Sequence, residues 1–203
     1  MTLQRAETVV LGIHYQNENC HPDGKFRLGM EEDAEAWGGR TLAAAARLYA
    51  GARRHGVPIV HVRLAVRPDH LDVEQNAPLY RQIAELDAWK EGTWGAEFVA
   101  GLEPAADELV VTHRRNNAFY GSALQESLDR FRPTHLVLAG VSTAYAVESI
   151  ARHAADVGYR VVIAEDACQT ASRAQHRASL EAMRRLAEIA TVDAVVAGFA
   201  EGA

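Results

Sequence analysis

A three-layer α/β/α domain around a six-stranded, mostly parallel sheet is what this sequence predicts. Three observations point to it. Short runs rich in β-branched residues recur six times, longer runs rich in Ala, Leu and Arg separate most of them, and the two kinds alternate. Near-continuous apolar runs bounded by turn residues suit strands covered on both faces. Regular strand–helix–strand alternation implies βαβ units with right-handed crossovers.

The first strand is read at Thr8–Ile13, the second at 58–62, the third at 108–112 and the fourth at 135–139. A fifth follows at 160–164 and a weaker sixth at 189–192. A helix over 31–55 stops at Gly56-Val57-Pro58, and one over 122–131 ends before Arg132-Pro133. A third, over 143–157, ends at Gly158, a good residue for the position after a helix. A fourth, over 172–188, opens on the capping candidate Ser172. The pattern is Rossmann-like. Two long connections, 15–30 and 65–106, interrupt it, and loops of that length in a compact domain usually carry function or short elements of their own. With no repeat or linker in view, one domain over 1–203 is expected.

Composition narrows the function. Apolar residues make up 48% and charged residues 24% of the 203, which excludes a disordered or fibrous chain. A chain of this length buries about 70% of its unfolded surface, so neither disulfide nor metal is needed for folding. Lys and Arg number 21 against 27 Asp and Glu, a net charge of -6, and the arginines are scattered; nucleic acid is not an expected partner. No apolar run approaches the roughly 20 residues of a membrane helix. The first residues lack the apolar core of a signal peptide. Two cysteines, Cys20 and Cys168, cannot make a disulfide framework and suit a reduced compartment. A cytoplasmic protein acting on a small molecule, away from membranes, is the expectation.

In an open parallel sheet the ligand crevice lies beyond the carboxyl ends of the strands. After the first strand comes His14-Tyr15-Gln16-Asn17; after the third, His113-Arg114-Arg115-Asn116-Asn117-Ala118-Phe119-Tyr120-Gly121; after the fourth, Gly140-Val141-Ser142-Thr143-Ala144-Tyr145-Ala146. Imidazole thus follows two separate strands directly.

These segments, with Gly92-Thr93-Trp94-Gly95 and the run from Gly140 to Cys168, resemble the isochorismatase-like hydrolases, the cysteine hydrolase or nicotinamidase-related superfamily. The resemblance covers about Val9 to Val195 and implies the fold, a hydrolytic activity and a homodimer or larger assembly. Members typically carry an Asp, a Lys and a Cys as a triad. The position of the Asp is His14 here, with Gln16 and Asn17 retained; that of the Lys matches His113; that of the Cys matches Ala146, and the Asn that often follows the motif's Thr is Ala144. The resemblance also implies a cis peptide before Ser142, an oxyanion hole of backbone amides near it, and a pocket lined by Tyr15, Gln16, Trp94, Asn117, Phe119, Tyr120, Ser142, Tyr145 and Ala146.

A methyl group cannot attack a carbonyl, so no acyl-enzyme forms on residue 146. Imidazole titrates near pH 6.5 and can give or take a proton at neutral pH. His14 is therefore read as general acid or base and His113 as its partner or an electrostatic stabiliser, in a reaction with no covalent enzyme species. Arg115 is read as a substrate contact able to hold a carboxylate. No metal or cofactor is expected, although a His14–His113 pair could recruit zinc with a third ligand. The rival reading is a pseudoenzyme that binds a metabolite or partner protein; a third is amide hydrolysis by Ser142 or Tyr145. His61 and His176 are read as structural, and Glu148–Arg152 as an i,i+4 helix pair.

Overall fold

The computed structural model describes residues 2–26 and 34–202. Six strands form one sheet in the order β3-β2-β1-β4-β5-β6, and every pairing is parallel. The strands are β1 (Thr8–Ile13), β2 (Ile59–Leu64), β3 (Leu109–His113), β4 (His135–Val141), β5 (Arg160–Gln169) and β6 (Ala187–Ala190). The helices are α1 (Asn17–Cys20), α2 (Ala34–His55), α3 (Pro78–Glu85), α4 (Leu124–Asp129), α5 (Glu148–Asp156), α6 (Arg173–Met183) and α7 (Val192–Glu201).

The period-two alternation of strand side chains decides which helix covers which face. Val9, Leu11, Ile13, Leu136, Leu138, Val161 and Ile163 pack in one cluster with Leu124 and Leu128 of α4, Ile150 and Ala154 of α5, and Leu180 and Met183 of α6. Their neighbours Val10, Val137, Ala139, Val162 and Ala164 pack in another with Ala45 and Leu48 of α2 and Val195 and Phe199 of α7. These strands are buried on both faces, which is why their sequences read as continuous apolar runs. A smaller cluster, Leu64, Val66, Tyr80, Ile83 and Trp89, forms beneath the second long connection.

Several boundaries differ from the sequence reading. The sixth strand lies two residues earlier than expected, at Ala187–Ala190, and Val192 begins α7, a helix the alternation pattern did not reveal. Thr191 supplies its cap, the side chain accepting from Ala194 N. β5 continues to Gln169, so Cys168 lies inside the strand and not after it; a register shift at Leu138/Gly140 accommodates the extension. The connection over 65–106 carries α3, opened by Pro78 in the first turn. The expected helix over 143–157 begins as a π-helical turn, Thr143–Val147. The first three residues of the helix expected over 31–55 lie outside the described residues.

The strand order is that of a doubly wound sheet whose direction of winding reverses between β1 and β4. Ligands bind at such a switch point, beyond the strands' carboxyl ends. Here those ends are His14 and Val141-Ser142.

Candidate active site

A cavity of about 540 Å³ opens at the switch point, within the range of small-molecule sites. His14, Val141, Ser142, Tyr145 and Ala146 form one wall. α3 and the loops around it supply the opposite wall with Leu79, Tyr80, Ile83 and Trp89, and Phe26 joins them from the first long connection.

His14 and His113 meet although β2 lies between their strands. Alternate strands are about 10 Å apart, a gap two facing imidazoles can span. The Nε2 atoms are 2.6 Å apart and the rings nearly parallel, 4.8 Å between centroids. His14 has a left-handed backbone, φ 55°, while its amide still bonds Val62 O at 2.9 Å. The chain thus stays on the sheet while the side chain turns to the cavity rim. His113 is 0% exposed and lies behind His14, outside the cavity lining.

Burial lowers the proton affinity of both rings. It holds His113 down to about 4. His14 falls well below its ordinary value through burial and then through His113, with a hydrogen bond to the Val141 backbone opposing. Both rings are therefore neutral at pH 7. With His14 Nε2 facing His113, the Val141 bond falls to Nδ1, which then carries the proton. The Nε2–Nε2 contact holds one proton, carried by one ring and accepted by the other. His113 Nδ1 has no hydrogen-bond partner among the described residues.

The other sequence-expected residues divide. Arg115, Ser142, Tyr145 and Ala146 line the cavity with His14. Tyr15 does not: it is 0% exposed in the α2-side core, and its hydroxyl donates to Ala167 O. Gln16 is buried too; its amide donates to Leu64 O and Ala96 O and accepts from Leu64 N, all within 2.9 Å, so it braces loop to strand. Trp94 lies outside the cavity, half exposed and edge-on to His21. Asn117 bonds Ser149 O and Phe119 N, Phe119 stacks on His153, and Tyr120 is 69% exposed. These three lie outside the cavity because the loop after β3 turns toward α5 at Asn117.

Arg115 is held in place by its surroundings. Its guanidinium lies 3.8 Å over the Tyr80 ring and donates to Glu74 O and Asn76 Oδ1. Ser142 Oγ bonds Thr170 Oγ1 at 2.8 Å, not an imidazole. The peptide Val141-Ser142 is cis, as the resemblance implied. Cys20 contacts His14 O at 3.7 Å from the core side, and burial pushes the thiols of Cys20 and Cys168 up to about 12. Among the described residues no group of three or more His, Cys, Asp or Glu is placed to hold a metal. No described helix is long and apolar enough to cross a membrane.

Sequence reasoning missed the α3 wall and the carboxylate that sets it. Glu18 is 3% exposed and accepts Lys25 N at 2.8 Å and Trp89 N at 2.9 Å, fastening the two long connections together. A Cβ on Gly95 would come within 2.2 Å of that carboxylate, so only glycine fits there. Phe26 and Trp89, 4.7 Å apart, are fixed in the wall by this clip. The helix itself was legible, because Pro78 precedes Tyr80 and Ile83 at i,i+3 spacing.

The family model for the isochorismatase domain matches residues 8–194. The chain belongs to the isochorismatase family. It is 31% identical over 156 residues to the isochorismatase family protein YecD of Escherichia coli O157:H7, covering 75% of this chain and 79% of that one. It is 29% identical over 181 residues to the ureidoacrylate amidohydrolase RutB of Variovorax paradoxus, covering 82% and 70%. A crystal structure of an isochorismatase family protein from Desulfovibrio vulgaris superposes with a TM-score of 0.83 at 28% identity, covering 95% and 98%. This isochorismatase-family hydrolase therefore carries the family's fold, with a histidine pair at the end of β1 and β3 and a methyl group at residue 146.

Proposed function

We propose that the protein hydrolyses a small organic molecule without a covalent enzyme species, with His14 as the acid–base residue. The observation that carries this reading is the 2.6 Å contact between His14 and His113 Nε2 at the edge of the cavity. At pH 7 one ring presents a lone pair and the other an N–H, so the pair holds a base and a donor at neighbouring positions. His14 reaches the cavity, and on exchanging its Nε2 contact with His113 for one with water it takes a proton from that water as it attacks. His113, wholly buried, is a positioning residue that sets the tautomer and orientation of His14. No resident cofactor or metal takes part.

Three features support a non-covalent route. Ala146 offers no nucleophile. The Ser142 hydroxyl bonds Thr170 Oγ1, not an imidazole. Both thiols are protonated near neutral pH and packed in the core. The apolar α3 wall suits a small planar substrate. The amidohydrolase relative named for ureidoacrylate makes small amides and ureido acids the first compounds to assay.

The test is turnover of a panel of small amides, carbamates and vinyl ethers, starting with ureidoacrylate. His14→Asn is expected to lower kcat about a hundredfold or more, and intact-mass spectra during turnover are expected to show unmodified protein. A covalent adduct on Cys20, Cys168, Ser142 or Tyr145, or an active His14→Asn variant, would overturn the reading. Binding without turnover by either form would make the site a non-catalytic pocket.

A further inference from the structure

Among the described residues that line the catalytic cavity there is no Asp or Glu, and Arg115 is the only Arg or Lys. His14 is neutral at pH 7, so this lining carries one positive charge. Two of the five guanidinium N–H groups are engaged, by Glu74 O and by Asn76 Oδ1, each at 3.1 Å. Both acceptors are uncharged, and among the described residues no carboxylate pairs with Arg115. The guanidinium stacks at 3.8 Å on Tyr80, whose hydroxyl in turn accepts from Asn116 N at 3.1 Å. Its place is thus fixed before a ligand arrives.

An independent observation comes from Asn19. It lines the same cavity at 8% exposure. Its Oδ1 meets the Cys20 thiol at 3.8 Å, and its Nδ2 donates to no described residue. The Trp89 indole nitrogen also lacks a partner but is sealed within the wall; the Asn19 nitrogen is not sealed. Amides in such surroundings are nearly always paired, with protein, water or ligand. The same thiol reaches His14 O at 3.7 Å, which sets Asn19 at the His14 end of the cavity. Arg115 is held against Tyr80 of α3, on the opposite wall.

We propose that Asn19 and Arg115 select the substrate: a short acid whose carboxylate is taken by Arg115 and whose amide or ureido carbonyl accepts from Asn19 Nδ2. This rests on the reading of the cavity as the catalytic site and narrows the compounds that fit it. A pre-positioned guanidinium meets a planar carboxylate with charge-assisted hydrogen bonds that an uncharged analogue forgoes. Leu79, Ile83 and Trp89 offer apolar surface to the carbon chain of the ligand. Both residues bind and orient, and neither moves a proton.

The test compares each of three acids, ureidoacrylate, ureidoacetate and succinamate, with its own methyl ester, which keeps the amide and removes the charge. Binding is measured by calorimetry at pH 7 on the full chain carrying His14→Asn, and turnover on the parent. At least one acid is expected to bind about tenfold or more tightly than its ester. Arg115→Gln, added to His14→Asn, should bring acid and ester to equal affinity, and Arg115→Lys should restore part of the preference. That ratio would not move if Arg115 only held the wall in place. Asn19→Leu should weaken acid and ester alike, about threefold to tenfold, and leave the ratio unchanged. No binding by any acid, equal binding of every acid and its ester, or a preference that survives Arg115→Gln overturns the proposal. Unchanged affinity in Asn19→Leu overturns the part assigned to Asn19. Selective binding of an acid that the parent does not turn over would uphold the selectivity and overturn the catalytic reading instead.

Discussion

Two buried histidine clusters occupy neighbouring strands of this sheet, and they differ in one respect that separates structure from chemistry. His61, at the middle of β2, bonds Glu108 through Nε2 at 2.7 Å, and Glu108 in turn takes Arg53 at 2.8 Å. Tyr49 and Phe98 pack edge-on against its ring. His14 and His113 have each other and backbone contacts at Val141 and Arg115 but no carboxylate, and His14 stands at the rim of a cavity. Burial lowers the proton affinity of His61, and the Glu108 hydrogen bond opposes it. No carboxylate opposes it at His14 or His113. A histidine with a counter-charge and closed packing is a fastener. One held only by neutral partners beside an open side can exchange its ring contact for one with substrate or water.

The widest separation between the clusters is expected in catalysis. His14→Asn should cost about a hundredfold to ten-thousandfold in kcat, whereas His61→Asn should leave kcat within a few-fold below its melting temperature. Steady-state assays on any substrate the parent turns over decide this, and equal losses would erase the distinction.

Stability should divide the clusters the other way. Burial pushes the Glu108 carboxyl up, but hydrogen bonds from Arg53, Ala105 N and His61 outweigh it and hold it at about 2. Glu108→Gln removes the charge and one of the two acceptor oxygens shared by Arg53, His61 and Ala105 N and should cost about 1–3 kcal/mol, read as a lower urea midpoint with kcat retained. A large loss of kcat at full stability would mean that this cluster also serves the reaction.

Acid sharpens the comparison further. The unfolded chain protonates its histidines near 6.5, while His113 resists until about 4 and His14 lies well below its ordinary value. Between those limits the unfolded state binds more protons, so stability falls as pH falls through that window. His113→Gln should flatten the slope, seen in urea midpoints collected across it. Glu108, held at about 2 in the fold, adds its own slope of the same sign only from about pH 5 downward, where the unfolded carboxyl begins to protonate. An unchanged slope would show that His113 does not titrate as its burial dictates.

The smallest effect is expected from a pair outside both clusters. Arg152 bonds Glu148 at 2.8 Å one helical turn away, with Arg152 45% exposed. Arg152→Gln should cost less than about 0.5 kcal/mol, as exposed i,i+4 pairs do. A larger loss in thermal melts would mean that the Glu148–Ser179 bond at 2.5 Å depends on it.

The sequence by itself determined the layered fold, because strands buried on both faces must be apolar at consecutive positions and their crossovers must be helices. It also determined that His14 and His113 lie at the carboxyl ends of their strands, where His14 follows β1 and His113 closes β3, since such side chains in a parallel sheet face one crevice. It did not separate Tyr15 from His14, or Trp94, Asn117, Phe119 and Tyr120 from the lining. Aromatic and amide side chains beside a crevice serve equally well as core, brace or wall, and only the turn of the backbone chooses among them. Tertiary structure alone decided that two imidazoles span the end of an intervening strand, that Glu18 fastens two loops distant in the chain, and that α3 closes the cavity. Each depends on contacts between segments tens of residues apart, and no local pattern in a single sequence records such distances.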